Sequence, residues 1–409
     1  MSIAPSKLAI SILFIVSICV TGWVMDVCTK SVIVSSQIKK SRAESEPKLI
    51  TELDVYVNKT AKQYRIYIAE NESSGNRQGA FKTLWDFGSE RFNTISKALL
   101  RLDMKTVFKN LHLCIQAGVW ALTYHAYYGV VFFSIVIILL TICGGAICRC
   151  AALDFSQGAQ PGFTEAINFS IEKFRGLLTA PMIPVFFIVA SAMLVFLLGL
   201  VGNIPIVGPI LLAVGLLPGL LIGLVIAIAL TGTIAASMLM FPAIAYEGSD
   251  GFDAISRCYA YVFIKPLSMG LYTLIASVYG AFCHIFVRFF AFLLLIITYT
   301  LVSLGINTQQ NPEQLDTLWS KPEFFSLVGS TDPVAGTWAE SVAGFIINIA
   351  ITVPVVVVAA FVVSFYFCGC TIIYALMRRN VDNTPVDTIY TKLSEIQDIE
   401  TEDYNKIIT

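Results

Sequence analysis

Seventy consecutive residues, from Leu177 to Tyr246, contain no charged side chain. A helix needs roughly 20 apolar residues to cross a bilayer, so this stretch is too long for two straight spans. The third span is predicted to end near Leu200 and the fourth to cover 219–245. The whole chain is 56% hydrophobic and 13% charged, which is about half the charge of a soluble domain and indicates an integral membrane protein.

The excess residues between these two spans are rich in proline and glycine, with Pro205, Gly208 and Pro209 close together and Pro218 beyond them. Proline removes a helix donor and obstructs the preceding turn. The sequence therefore predicts a broken segment at 204–217, and it leaves open whether this segment is re-entrant or part of a span. Irregular backbone at membrane depth must be buried by protein.

Further apolar blocks predict four more spans, so the fold class is all-α with about six transmembrane helices. The blocks cover 8–25, 127–148, 267–306 and 342–377. The first block is interpreted as a retained N-terminal anchor within residues 1–28, because its apolar run is too long for a typical cleaved signal. A signal peptide remains the alternative.

A short surface helix appears twice between spans. Residues 246–266 carry a polar turn, an amphipathic stretch and Pro266, and residues 162–181 repeat this order. Such self-similarity indicates a repeated unit. We predict two units of span, interfacial helix and span, with the interfacial helices at 162–176 and 250–265.

The remaining regions are polar and flank a polytopic membrane domain at 116–380. Residues 29–115 hold fifteen Lys and Arg against nine Asp and Glu, a net charge of about +6. Their apolar residues recur at helical spacing, which predicts a small, mainly helical extracytoplasmic region. Residues 381–409 form an acidic tail with seven Asp and Glu against two Lys.

Charge in the short loops predicts the orientation. Seven Lys and Arg fall in segments assigned to the inside and one, Lys321, in those assigned to the outside, and cytoplasmic loops are enriched in these residues. The N- and C-termini are therefore predicted in the cytosol of a multi-pass protein. The inside residues are Arg149, Lys173, Arg175, Arg257, Lys265, Arg378 and Arg379.

Several strings between residues 118 and 391 resemble an uncharacterised family of bacterial polytopic inner-membrane proteins. More distantly, the repeated unit resembles the membrane domain attached to some glycerophosphodiester phosphodiesterases. The resemblance implies an inner-membrane location and a topology but no activity, and the soluble phosphodiesterase domain has no counterpart here. The strings are GGAICRCAA at 144–152, EAINF at 165–169, APMIP at 180–184, IPIVGP at 204–209, FPAIAYEGSDGFDAISR at 241–257 and IIYALMRRNVD at 372–382.

Two groups of polar residues are candidate sites. His284 and Arg288 share a helical face inside a span, where ionisable residues are commonly functional, and predict a lipid or anion contact. The densest polar group is predicted to be structural, because capping and ion pairing account for each member. Its residues are Glu247, Asp250, Asp253 and Arg257.

The cysteines give only weak signals. Most lie in or beside spans, where Cys acts as a small apolar residue. Cys28 and Cys114 lie near the edges of the polar region, so a bridge between them stays open. Two Cys-x-Cys pairs at span ends lack the spacing typical of zinc sites, and we predict no metal and no cofactor. These pairs are Cys148 with Cys150 and Cys368 with Cys370.

The function that fits these features best is non-enzymatic: the organisation, assembly or anchoring of partners at the inner membrane. Membrane lipid and a protein at the cytosolic face are the expected partners, and nucleic acid is not, because no basic patch interleaved with aromatics is present. The alternative is a transporter or lipid-handling protein that uses the broken segment 204–218, since interrupted helices often mark substrate sites. The oligomeric state is left open.

Overall fold

The computed structural model describes residues 4–36, 49–71, 77–205, 207–307, 319, 321–324, 327 and 338–390. These residues are almost all helical, which confirms the predicted fold class. The helices are α1 (Pro5–Cys28), α2 (Glu52–Asn58), α3 (Ala61–Asn71), α4 (Ala80–Leu100), α5 (Met104–Tyr124), α6 (Ala126–Gln157), α7 (Phe163–Glu172), α8 (Phe174–Val201), α9 (Gly208–Glu247), α10 (Gly251–Ile264), α11 (Pro266–Asn307) and α12 (Trp338–Asp382). The strands are β1 (Val32–Ser36), β2 (Leu49–Thr51) and β3 (Arg77–Gln78).

Six helices in the described ranges are long and apolar enough to cross a membrane: α1, α6, α8, α9, α11 and α12. The prediction of six spans is confirmed. In the most apolar stretch of α9, none of the residues is buried within the chain. In the corresponding stretches of α8 and α11, only 6% of the residues are buried. Apolar surface of this extent belongs in lipid rather than water. The chain is therefore a multi-pass membrane protein.

The predicted break at 204–217 is wrong for most of its length, because α9 is continuous from Gly208 and contains Pro218 in its interior. Pro209 lies in the first turn of α9, where a missing N–H costs no helical hydrogen bond. A Cβ at Gly208 would lie 2.5 Å from the carbonyl oxygen of Gly202. The Pro/Gly-rich run is thus a tight turn between two adjacent helices, and Pro205 lies exposed in that turn.

Two short helices occupy the positions of the predicted interfacial helices. α7 lies between α6 and α8, and α10 lies between α9 and α11. α7 ends at Glu172, four residues before the predicted end, and Lys173 separates it from α8. α6 continues to Gln157, well past the predicted span end at Cys148. The order of span, short helix and span therefore occurs twice along the chain.

One compact unit, called the first unit, comprises Met1–Ser11, Leu140–Ala276 and Phe361–Thr409. Its core is built from α6, α8, α9, α10, the start of α11 and α12, and it contains the buried rings of Tyr246, Tyr261 and Tyr374.

Small residues allow these helices to approach closely. A Cβ at Gly251 would lie 3.0 Å from the Gly176 carbonyl oxygen, a contact that only glycine permits without a backbone shift. Gly248 ends α9 in the left-handed conformation, with φ 63°, which glycine adopts without strain. The chain therefore turns sharply from α9 into α10.

The second unit comprises Ile12–Leu139 and Ser277–Ala360. Its polar region is mainly helical, as predicted, but it also contains an antiparallel sheet in the order β2-β1-β3, which the sequence interpretation did not include. Val32, Ile33 and Val34 are all buried in β1, and β-branched residues favour the pleated surface of a strand. Cys28 and Cys114 are free thiols.

The helical spacing noted in the polar region corresponds to α4 and α5, but the apolar face of α5 is not buried. Phe108, Leu111 and Ile115 are 69%, 50% and 62% exposed. α5 instead packs through its opposite side, where Ala117 and Trp120 are buried. Periodicity thus identified the helix, while packing decided which face entered the core.

Candidate functional site

The most concentrated polar contacts of the first unit surround Glu247, the last residue of α9. Its Oε1 lies 2.8 Å from Nε of Arg378 on α12, and its Oε2 lies 3.5 Å from a terminal nitrogen of Arg257 on α10. The hydroxyl of Tyr374 donates to Oε1 at 3.2 Å. Glu247 and Arg378 are only 13% and 11% exposed. One carboxylate therefore joins three helices in a largely desolvated position.

The predicted structural group comes together except for one member. Asp253 pairs with Arg257, four residues later, at 3.0 Å. Burial alone would lower the pKa of Arg257, but Glu247 and Asp253 outweigh it and raise that pKa above its ordinary value. Asp250 is the N-cap residue of α10, yet its side chain makes no capping hydrogen bond. Asp250 is exposed and stands apart from the group.

Two further contacts tie α10 to the end of α12. The hydroxyl of Tyr261 donates to the carboxylate of Asp382, and the Lys265 ammonium donates to the Asn380 carbonyl and side-chain oxygens at 2.6 and 2.7 Å. Burial raises the pKa of Tyr261, and the bond to Asp382 raises it further. The hydroxyl therefore stays protonated and acts as a donor at neutral pH.

A cleft of about 850 Å³ lies beside α7 and is called the α7 cleft. Two cations in its wall point toward backbone oxygens. Arg149 donates to the carbonyls of Ala245 and Tyr390 at 2.8 and 2.9 Å, and Lys173 donates to that of Gly248 at 2.6 Å. The lining comprises Arg149, Leu153, Gln157, Ala159, Gln160, Pro161, Thr164, Glu165, Ala166, Asn168, Phe169, Glu172, Lys173 and Tyr390.

The segment after α12 is fixed at the edge of this cleft. The amide of Tyr390 donates to the carbonyl of Tyr246 at 2.8 Å, and the ring of Tyr390 lies 5.2 Å from the Lys173 ammonium. Thr164, Glu165 and Asn168 on α7 remain exposed along the cleft. The cleft therefore exposes carboxylate and amide groups to solvent, whereas its two cations, Arg149 and Lys173, donate hydrogen bonds to backbone carbonyls of the chain.

The four span-end cysteines, Cys148, Cys150, Cys368 and Cys370, are all buried in the first unit. Within the described ranges, no group of three or more His, Cys, Asp or Glu residues is placed to hold a metal ion. The expectation that the chain holds no metal stays a prediction.

A buried ion pair in the same unit was not anticipated from the sequence. Lys7 of α1 lies 2.7 Å from Asp154 of α6, and the two side chains are 1% and 13% exposed. In the sequence, a lysine in the first turn of an apolar helix looks like one of the charged residues that flank a membrane span. Nothing local in the sequence indicates a partner 147 residues away.

His284 and Arg288 lie on α11 within the second unit. The ring of His284 meets that of Phe92 edge to face, with centroids 5.1 Å apart. Arg288 donates to the carbonyl of Phe324 at 2.9 Å and to the side-chain oxygen of Asn93. These contacts give both side chains protein neighbours. The lipid or anion contact stays a prediction.

A second buried carboxylate, Glu52 of α2, lies in the core of the second unit. It accepts hydrogen bonds from the hydroxyl of Tyr64 and, at 3.3 Å, from the amide of Ile33, and it lies 3.7 Å from Nε2 of His125. Burial alone would raise the pKa of Glu52, but His125 and the two donors outweigh it and lower that pKa. This carboxylate joins β1, α2, α3 and the junction between α5 and α6.

Comparison of the chain with family models, curated proteins and solved structures finds no match in any of the three. The class of protein is therefore defined by the fold and the site alone. The chain is a multi-pass, all-α membrane protein, and in its first unit polar contacts join α9, α10, α12 and the segment that follows α12.

Proposed function

We propose that the chain is a non-enzymatic membrane protein that organises, assembles or anchors a protein partner. The α7 cleft carries this proposal, because it is a concave surface at the end of α6 and along α7, and its exposed polar groups can contact a partner. The charged residues near the cleft that make the closest contacts hold helices α9, α10 and α12 together. Glu247 is engaged by Arg378, Arg257 and Tyr374, which supports a rigid structural platform.

The expected partner presents a basic segment. Glu165 and Glu172 line the cleft, and the nineteen residues from 391 to 409 carry five Asp and Glu against two Lys. The segment that leads into this tail is attached at the cleft through Tyr390. Complementary charge favours a cationic surface and increases its association rate.

The proposed setting is the bacterial inner membrane, with both termini, α7 and α10 in the cytosol. The excess of Lys and Arg in the short inside segments supports this orientation, and the resemblance to inner-membrane proteins supports the location. The alternative, a transporter or lipid-handling protein that uses the segment 204–218, has less support, because residues 208–218 belong to the continuous helix α9.

Site-specific photo-crosslinking in cells tests the proposal. A photoreactive amino acid is placed at Thr164 or Asn168, which are exposed in the cleft, and at Gln63, which is exposed on α3. We expect one protein to crosslink at both cleft positions and not at the control. Truncation after Tyr390 and the substitution Glu165→Lys should each weaken this crosslink, because both remove negative charge.

Crosslinks to lipid alone, or the same products at the cleft and at Gln63, would contradict the proposal. Expression and a monodisperse elution profile for each variant separate loss of the partner from loss of the fold. A crosslink that survives both the truncation and Glu165→Lys would show that acidic groups do not recruit the partner.

A further inference from the structure

A second cleft, of about 670 Å³, lies in the second unit where α1 ends and α4 begins, and it is called the α1–α4 cleft. Trp23, Asp26 and Val27 reach it from one face of α1, since they are three and four residues apart. The full lining comprises Trp23, Asp26, Val27, Lys30, Val34, Arg77, Gln78, Gly79, Phe81, Lys82 and Trp85.

The cleft is held in shape by a carboxylate that caps a helix. The two carboxylate oxygens of Asp26 accept hydrogen bonds from the backbone amides of Phe81 and Lys82, each at 2.9 Å. These amides belong to the first turn of α4, whose N-cap residue, Gly79, supplies no side-chain bond. Any Cβ at Gly79 would collide with Asp26, so the span end and the helix start are in direct contact.

The remaining charge in the lining is positive. Among the described residues that line the cleft, Asp26 is the only carboxylate, and it is already bonded to the two α4 amides. Lys30, Arg77 and Lys82 are all exposed there. Three cations against one engaged carboxylate favour an anionic ligand.

The other wall of the cleft is apolar and aromatic. Trp23 and Val27 are 65% and 62% exposed, and Trp85 is 39% exposed. Trp23 lies in the last turns of a membrane span, where indole rings commonly occupy the boundary between hydrocarbon and headgroups. A ligand that fits this cleft therefore combines a negative headgroup with an apolar body.

We propose that the α1–α4 cleft binds the phosphate headgroup of an anionic phospholipid in the leaflet where α1 ends. Lys30, Arg77 and Lys82 contact the phosphate, and Trp23, Val27 and Trp85 contact the glycerol and upper acyl chain. Each cation near an anionic membrane surface strengthens binding about fivefold. Loss of all three should weaken the preference for anionic lipid by at least about tenfold.

Native mass spectrometry of the full chain in nanodiscs tests this site. The nanodiscs contain equal phosphatidylglycerol and phosphatidylcholine, and the retained lipids are counted. We expect wild type to retain phosphatidylglycerol preferentially and the variant Lys30→Gln, Arg77→Gln, Lys82→Gln to lose that preference at least about tenfold. The control removes three exposed cations of α3 and the preceding turn, Lys59→Gln, Lys62→Gln and Arg65→Gln, and should keep it.

A wild-type chain without lipid preference, or an equal loss in both triple variants, would overturn the proposal. The double variant Lys30→Arg, Lys82→Arg keeps the charge and should keep the preference, so a folding defect is distinguished from a lost contact. Displacement of the retained phosphatidylglycerol by millimolar inorganic phosphate in the mixed nanodiscs would instead identify a site for a soluble anion and would overturn the assignment to lipid.

Discussion

The buried pair of Lys7 and Asp154 gives the sharpest test of how the first unit is held together. The substitution Lys7→Met keeps the length of the side chain and removes the ammonium 2.7 Å from the Asp154 carboxylate. The carboxylate, 13% exposed, is then left without its charge partner. Breaking a buried pair in this way costs about 3–5 kcal/mol.

The expected loss lies near the lower end, at about 3 kcal/mol, because Asp154 keeps some contact with solvent. This corresponds to about a hundredfold change in the unfolding equilibrium. The double variant Lys7→Met, Asp154→Leu should recover most of the loss, since an apolar pair of similar volume often replaces a buried ion pair without cost. Lys59→Met makes the same chemical change at an exposed position and should alter stability by less than about 0.5 kcal/mol.

Unfolding by increasing SDS in mixed micelles measures these differences, with intact folded protein scored by size-exclusion chromatography. If Lys7→Met unfolds at the same detergent fraction as Lys59→Met, the pair does not stabilise the fold. Such a result would also argue against the start of α1, residues 5–11, as an integral part of the first unit, although Ile10 is fully buried there. Recovery in the double variant distinguishes a lost ion pair from a general packing defect.

Further outcomes follow from single contacts. The lowered pKa of Glu52 means that its contribution to stability is complete above the pKa of the unfolded chain, ordinarily about 4.3, and is lost as the pH falls through the folded pKa. Acid unfolding of the second unit should therefore depend less steeply on pH in Glu52→Gln than in wild type. Gly251→Ala should destabilise the first unit, by about 1–3 kcal/mol, because its Cβ would overlap the Thr179 hydroxyl and lie 3.0 Å from the Gly176 carbonyl oxygen, whereas in Gly176→Ala the nearest atom is 3.6 Å away; equal thermal stability of the two variants would contradict this. Asp253→Ala should change thermal stability by less than about 0.5 kcal/mol, since the pair with Arg257 is 46% and 41% exposed and solvent screens it.

The spans were predictable because lipid imposes a simple rule on sequence. A helix that crosses hydrocarbon must be apolar along its length, and such runs are readable without knowledge of contacts. The single helix α11, Pro266–Asn307, matched the predicted span at 267–306 for this reason. The pairing of Asp253 with Arg257 was readable too, because residues four apart on a helix are neighbours.

Proline and glycine misled the prediction for 204–217. Their local preferences favour a break, but Pro209 falls in the first turn of α9 and Pro218 lies within it. The strand β1 was missed because helical spacing elsewhere in residues 29–115 dominated the interpretation. In both cases, the local pattern had more than one solution and the surrounding structure selected one.

The sequence by itself determined that this chain has six helices long and apolar enough to cross a membrane, with two short amphipathic helices between them, since hydrophobic length and helical period are properties of contiguous residues. Only the tertiary structure decided which partner each of the largely buried charges meets. Lys7 with Asp154, Glu247 with Arg378 and Glu52 with Tyr64 are pairs that join different helices. A buried charge needs a partner, and the identity of that partner depends on how distant helices pack rather than on sequence spacing.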